Sequence, residues 1–173
     1  MGARVRATGV ILVTVLISGC ASTGTPRPEP FPRTGTQGGL PGSTTTTPLS
    51  GDAVAQAAKT LVGHPYAPGG AGPDRFDCSG LVQYVFGRAG VTLPRTVAQQ
   101  MKVGERVSFK KIAPGDLLFF RIDASKPTHV GIAIGNGAFV HAPNARGGVR
   151  VDRLSARYWL RRFEIAKRVI ADR

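Results

Sequence analysis

Cysteine is scarce in this chain: Cys20 and Cys78 are the only two among 173 residues. Two thiols allow one disulfide at most, which excludes a multiply cross-linked scaffold. Long apolar runs are also missing. The most apolar stretch, Val10 to Ile17, is too short to span a bilayer as a stable helix. Acidic residues are few, ten against 23 Lys and Arg, giving a net charge of +13. Much of the excess crowds the C-terminal region, at Arg150, Arg153, Arg157, Arg161, Arg162, Lys167 and Arg168. Such a surface attracts anionic polymers and lipid headgroups. No recognition motif is present, so nucleic acid is not expected as a partner. Two histidines twelve residues apart with one distant cysteine match no usual zinc-ligand spacing, and neither a metal nor a cofactor is expected.

What is present falls into three parts. Arg4 and Arg6 precede the apolar run, and Ile17-Ser18-Gly19-Cys20 closes it with small residues before a cysteine. This resembles a bacterial lipobox, so residues 1–19 are expected to be a lipoprotein signal peptide and Cys20 the lipid-modified N-terminus. Ala21, in place of aspartate after Cys20, implies the outer membrane facing the periplasm if the envelope is Gram-negative. Residues 20–51 are rich in Thr, Gly, Pro and Ser and cannot bury enough apolar area to offset ordering entropy. They are expected to be a flexible tether, leaving 52–173 as one folded domain. With Cys20 acylated, Cys78 has no intramolecular partner. The expected location is the cell envelope, with the membrane engaged through the lipid anchor.

Cys78 stands where a thiol can be activated. Leu81, Val82, Val85, Phe86 and Ala89 recur at helical spacing, Gly90 supplies a stop, and Asp77 is the expected N-cap. Cys78 then occupies the first turn at the edge of the buried stripe, where free N–H groups and the helix dipole favour a thiolate and lower its pKa. A structural role as a small buried residue is the alternative.

Upstream, Asp52 is the expected cap of a helix whose Val54, Ala57, Ala58, Leu61 and Val62 share one face. The following loop, 64–73, is too rich in Gly and Pro for regular structure. A short helix is expected from Leu93-Pro94-Arg95-Thr96 to about Met101. Strands are expected over Leu117 to Phe120, Thr128 to Ile134, Ala138 to His141, Val149 to Val151 and Phe163 to Ile170, with a helical turn near Leu154 to Tyr158. Helices first and antiparallel strands later make an α+β domain with helices packed on one face of the sheet.

Gly135-Asn136-Gly137 is a hairpin signal that tests whether two histidines can cooperate. A three-residue loop puts His141 opposite Gly131 and places His129 and His141 on one face as diagonal neighbours. A two-residue Asn136-Gly137 turn puts them on opposite faces unless a bulge intervenes. On one face, His129 can take the Cys78 proton, and His141 can orient His129 by accepting from its other ring nitrogen. The backbone N–H of Cys78 is expected in an oxyanion site at the helix start, with Asp77 and Ser79 beside it. Tyr66 can place its hydroxyl over the thiol or serve as a packing residue. His64 is expected to be a solvated loop residue.

The run Asp74-Arg75-Phe76-Asp77-Cys78-Ser79-Gly80-Leu81-Val82, then Leu93-Pro94-Arg95-Thr96, Pro114-Gly115-Asp116-Leu117, His129-Val130-Gly131-Ile132 and Phe139-Val140-His141-Ala142, closely resembles the NlpC-type cell-wall cysteine peptidases. That resemblance covers essentially all of 52–173. It implies a papain-like α+β fold and hydrolysis of amide bonds in peptidoglycan stem peptides, with Cys78, His129 and His141 as catalytic residues and Tyr66 lining the site. The two bonds it implies are D-Ala to meso-diaminopimelate in a cross-link and γ-D-Glu to diaminopimelate within a stem. A non-catalytic wall-binding scaffold and a thiol-dependent acyltransferase are the alternatives.

Overall fold

The computed structural model describes residues 49–122, 125–143 and 147–171. The expected signal peptide, Cys20 and most of the tether lie outside the described residues. Helix α1 (Gly51–Lys59) begins one residue before the expected domain boundary, and its cap is Ser50, not Asp52. Ser50 has the extended backbone a cap requires and its Oγ accepts from the Ala53 N–H at 3.2 Å, whereas Asp52 already lies in the first turn. Helix α1 buries Val54, Ala55 and Ala58. Leu61 and Val62, expected on its face, fall beyond its end, and Val62 is exposed.

Helix α2 (Cys78–Arg88) follows the sequence expectation closely. Asp77 caps it by accepting from the Gly80 N–H at 2.7 Å, Leu81, Val82, Val85 and Phe86 are buried, and Gly90 has φ of +81° just past the end. Helix α3 (Val97–Gln100) is shorter than expected, because Thr96 stays extended and caps it through the Gln99 N–H. Helix α4 (Arg157–Leu160) starts three residues later than the turn expected near Leu154.

Six strands are described: β1 (Glu105–Val107), β2 (Leu117–Phe120), β3 (His129–Gly135), β4 (Ala138–His141), β5 (Arg150–Arg153) and β6 (Phe163–Arg168). They form one antiparallel sheet in the order β1-β6-β2-β3-β4-β5. Strand β1 and the 3₁₀ turn Phe109–Lys111 have no counterpart in the sequence reading, since β1 is short, polar and mostly exposed. Strand β5 starts one residue later than expected and ends two later, and β6 stops at Arg168, short of Ile170.

The sheet is covered on both faces. Leu117, Phe119, Val130, Ile132 and Val140 pack with Val54, Leu81, Val82, Val85 and Phe86 of the two long helices. Leu118, Phe120, Ala133 and Phe139 pack on the other side with Leu154 and Trp159. Strand β2 is buried at all four positions, as its uninterrupted apolar run requires. Among the described residues no helix is long and apolar enough to cross a membrane.

The β3–β4 hairpin meets the parity condition by the second of its two routes. The turn is the two-residue one: Gly135 pairs with Ala138, and Asn136 and Gly137 have φ of 52° and 69°, both left-handed. The register shifts between Ala133 and Gly135, so Ile134 is an extra residue on β3. Beyond that bulge Ala133 pairs with Phe139 and Ile132 with Val140, the register that a three-residue loop would have set. A Cβ on Gly131 would lie 3.2 Å from that of His141, which confirms the two positions face one another.

Candidate active site

The site begins at the α2 N-terminus. Cys78 is its first residue, a free thiol between buried and exposed, packed at the edge of the helix-side core. The backbone N–H groups of Val130, Ser79 and Cys78 itself lie near enough to favour its thiolate. Val130 follows His129 at the start of β3, so the thiol lies against the strand that carries this histidine. Burial nonetheless pushes the thiol pKa up, and the Asp77 charge adds to this, outweighing the three N–H groups. The expectation of a lowered thiol pKa is therefore corrected: the half-buried sulfur loses more hydration than the helix start returns.

Asp77 and Ser79 enter the site as supports of that helix end. The Asp77 carboxylate accepts from the Gly80 and Gly69 N–H groups and takes a fork from Arg95. Burial opposes its ionisation, but the Arg95 and Gly80 hydrogen bonds prevail and hold its pKa below the usual carboxylate value. Ser79 Oγ donates to Asp77 and accepts from Arg95 at 2.8 Å. What Ser79 retains for an oxyanion is its backbone N–H. Gln100 is fully buried and donates to the carbonyls of Ser79 and Pro94, tying α3 to the same turn. Arg95 and Gln100 were missed as supports. Arg95 sits in a segment that carried the family resemblance, which was the one available signal.

Tyr66 packs against the same helix-side cluster as Cys78. Burial raises its pKa first, and the charges of Cys78 and Asp77 raise it further. Its position is fixed by the bridge of Tyr66 to Phe76, the strand-like rung that closes the glycine-rich loop. His64 is half-buried. Its Nδ1 lies 2.9 Å from the Leu61 carbonyl and its ring packs on Phe76, a local role at the end of α1.

The histidines come together. His129 Nε2 and His141 Nδ1 are 2.8 Å apart, with the rings nearly perpendicular. Both are buried against Phe120, Phe139 and Trp159, with His129 4% exposed and His141 fully enclosed. Burial lowers the His129 pKa to about 3, helped by the neighbouring His141 and Arg150. Burial likewise lowers that of His141 to about 4, against the opposing pull of Asp152. Both imidazoles are neutral at neutral pH.

Asp152 on β5 was missed. Its Oδ2 lies 2.9 Å from His141 Nε2 and accepts from Trp159 Nε1 at 2.9 Å and from Arg150. Burial works against its charge, but the hydrogen bonds of His141 and Trp159 outweigh it and lower its pKa. Its strand carries no family motif and reads as a short exposed edge, so only the folded register brings it to the histidines. Among the described residues no group of three or more His, Cys, Asp and Glu is arranged to hold a metal ion.

Comparison with known proteins agrees with this architecture. Residues 63–168 match the NlpC/P60 family. A gamma-DL-glutamyl hydrolase of Bacillus subtilis (strain 168) is 39% identical over 127 residues, which is 71% of this chain and 31% of that protein. Among solved structures, NlpC2 from Trichomonas vaginalis is 33% identical at a TM-score of 0.66, covering 70% of this chain and 47% of that one. The NlpC/p60 domain of the peptidoglycan hydrolase SagA is 32% identical at a TM-score of 0.61, covering 69% of this chain and 98% of that one. The chain thus spans about a third of the length of the curated relatives it matches. The helices and antiparallel sheet are the papain-like α+β fold expected from the sequence. With the profile matched over more than half its length, the chain belongs to the NlpC/P60 family.

Proposed function

We propose that this protein is a cysteine peptidase that hydrolyses amide bonds in peptidoglycan stem peptides, with Cys78 as nucleophile, His129 as base and His141 as its orienting partner. The observation that carries this reading is the 2.8 Å contact of His129 Nε2 with His141 Nδ1, on the strand whose Val130 N–H favours the thiolate. Family membership and the peptidoglycan hydrolase among its solved relatives support the substrate class. Of the two bonds, the γ-D-Glu to diaminopimelate one is a γ-glutamyl bond, the type that the name of the Bacillus subtilis gamma-DL-glutamyl hydrolase gives.

The resting site is a neutral thiol beside neutral imidazoles, so general-base attack fits it better than a preformed ion pair. His141 occupies Nε2 of His129, and Nδ1 is the nitrogen left for the thiol proton. As that proton leaves, sulfur bonds to the scissile carbonyl carbon. The negative oxygen that forms is met by the N–H groups of Cys78 and Ser79 in the first helical turn, whose donors no preceding turn can satisfy. Collapse of the adduct breaks the C–N bond, and the departing amine takes the proton from His129. Water then attacks the thioester with His129 again as base, releasing the carboxylate and returning a proton to sulfur. Tyr66, whose hydroxyl feels the Cys78 charge, is the substrate contact in this reading.

We further propose that residues 1–19 direct export, that Cys20 carries the lipid anchor, and that residues 20–51 let the domain reach the wall from the membrane of the cell envelope. The lipobox-like sequence supports this, and the net charge of +13 supports attraction to anionic wall polymers. Digestion of defined cross-linked and uncross-linked muropeptides, wild type beside Cys78→Ala, tests the enzymatic reading. New amine termini are expected from wild type alone, and their absence overturns it. Mass spectrometry of the mature N-terminus tests acylation at Cys20.

A further inference from the structure

We propose that Asp152 is a positioning residue that fixes which nitrogen of each buried histidine carries its proton, and so points the lone pair of His129 at the thiol. The inference rests on the reading of His129 as the base. It starts from sheet geometry. His129, His141 and Asp152 lie on three adjacent strands, β3, β4 and β5, and each is the diagonal neighbour of the next on one face. Phe139 pairs with Asp152 and His141 with Arg150, so the same diagonal step is taken twice.

An ionised carboxylate only accepts hydrogen bonds, so the nitrogen that faces it at 2.9 Å, Nε2 of His141, must bear the proton. A bare Nε2 there would set a lone pair against a negative oxygen. The enclosed ring has one proton to place, which leaves Nδ1 of His141 as an acceptor. The 2.8 Å contact with His129 is then satisfied only by a proton on His129 Nε2. The remaining nitrogen of His129, Nδ1, holds a free lone pair. One acceptor on β5 thereby sets the direction of the whole relay.

Trp159 and Arg150 hold that acceptor in place. Both donate to the same Oδ2 that faces His141, so this position must be an oxygen whichever way the side chain turns. The arrangement predicts that Asp152→Asn keeps its carbonyl oxygen at the Oδ2 position and retains the relay, while Asp152→Ala removes the acceptor and frees the His141 ring to exchange tautomers.

Nitrogen-15 NMR of the histidine rings in the folded chain tests this, beside muropeptide kinetics. Protonated Nε2 and bare Nδ1 are expected on both His129 and His141 in wild type and in Asp152→Asn. In Asp152→Ala the His141 signals should become those of a mixture, and kcat should fall roughly 10- to 100-fold with KM little changed, a fraction of what a general base itself contributes. A wild-type spectrum with the proton on Nδ1 of either ring overturns the proposal even if Asp152→Ala does not fold. So does an Asp152→Ala protein that folds and keeps both the wild-type nitrogen pattern and kcat. Wild-type enzyme that shows the expected protons but cuts no muropeptide refutes the hydrolase reading and leaves the proton arrangement supported.

Discussion

Arg95 reaches from the loop before α3 to fork onto the Asp77 carboxylate, the group that also caps the helix carrying Cys78. The two side chains are partly buried, and Arg95 additionally holds Ser79 Oγ. Removing Asp77 takes away a cap and strands a guanidinium; removing Arg95 leaves the cap in place. Asp77→Ala should therefore cost about 1–3 kcal/mol and Arg95→Ala less, with the double variant falling short of their sum. Urea unfolding of the three variants measures both the order and the coupling.

Two glycines of α2 should answer the same substitution with opposite signs. A Cβ at Gly80 would lie 1.9 Å from the Gly70 carbonyl oxygen, so the glycine-rich loop beside the thiol would have to move. A Cβ at Gly87 meets nothing within 4 Å. Gly80→Ala should destabilise by about 1–3 kcal/mol and lower activity. Gly87→Ala should stabilise by roughly 0.5–1 kcal/mol through helix propensity. Unfolding midpoints read both.

Alkylation tests the resting state of the thiol. Burial raises the Cys78 pKa and the neighbouring His129 is neutral, so no imidazolium is present to hold a thiolate. The rate of modification by iodoacetamide should rise with pH to a midpoint above the ordinary thiol value. A midpoint in the acid range would instead show a preformed ion pair and a different order of proton transfer.

Acid should destabilise the fold earlier than carboxylates alone would. The pKa of His129 is lowered from 6.5 to about 3 and that of His141 to about 4, so the unfolded chain binds protons that the folded one refuses. Stability is then full above about pH 6.5 and declines as pH falls from there toward 3. Asp77 and Asp152, also with lowered pKa, add to the loss below the usual carboxylate value. Denaturation followed from pH 7 to 4 should show the slope, and His129→Gln should flatten it.

Local signals carried much of this fold. The α2 helix, its Asp77 cap, the Gly90 stop and the β2 strand were legible because one short window holds both the apolar spacing and its punctuation. The histidine pair was legible as a conditional, since parity along a hairpin follows from counting. The Asp52 cap failed because a better cap stood two residues earlier, and β1 failed because an exposed polar edge has no alternation to read. Asp152 and Gln100 were out of reach for another reason. Their partners are 11 and 21 residues away in sequence, and only strand pairing or helix packing brings them together. The thiol pKa was misjudged because a helix start is visible in sequence and the depth of burial around it is not.

The supernumerary Ile134 makes a bulge near the tip of a surface hairpin a condition of chemistry performed at its far end. Were the bulge to close so that Ile134 paired with Phe139, the Asn136-Gly137 turn would stay intact, yet His141 would come opposite Ile132, on the face away from His129. Deleting Ile134 outright, by contrast, leaves Gly131 opposite His141 and should spare the pair.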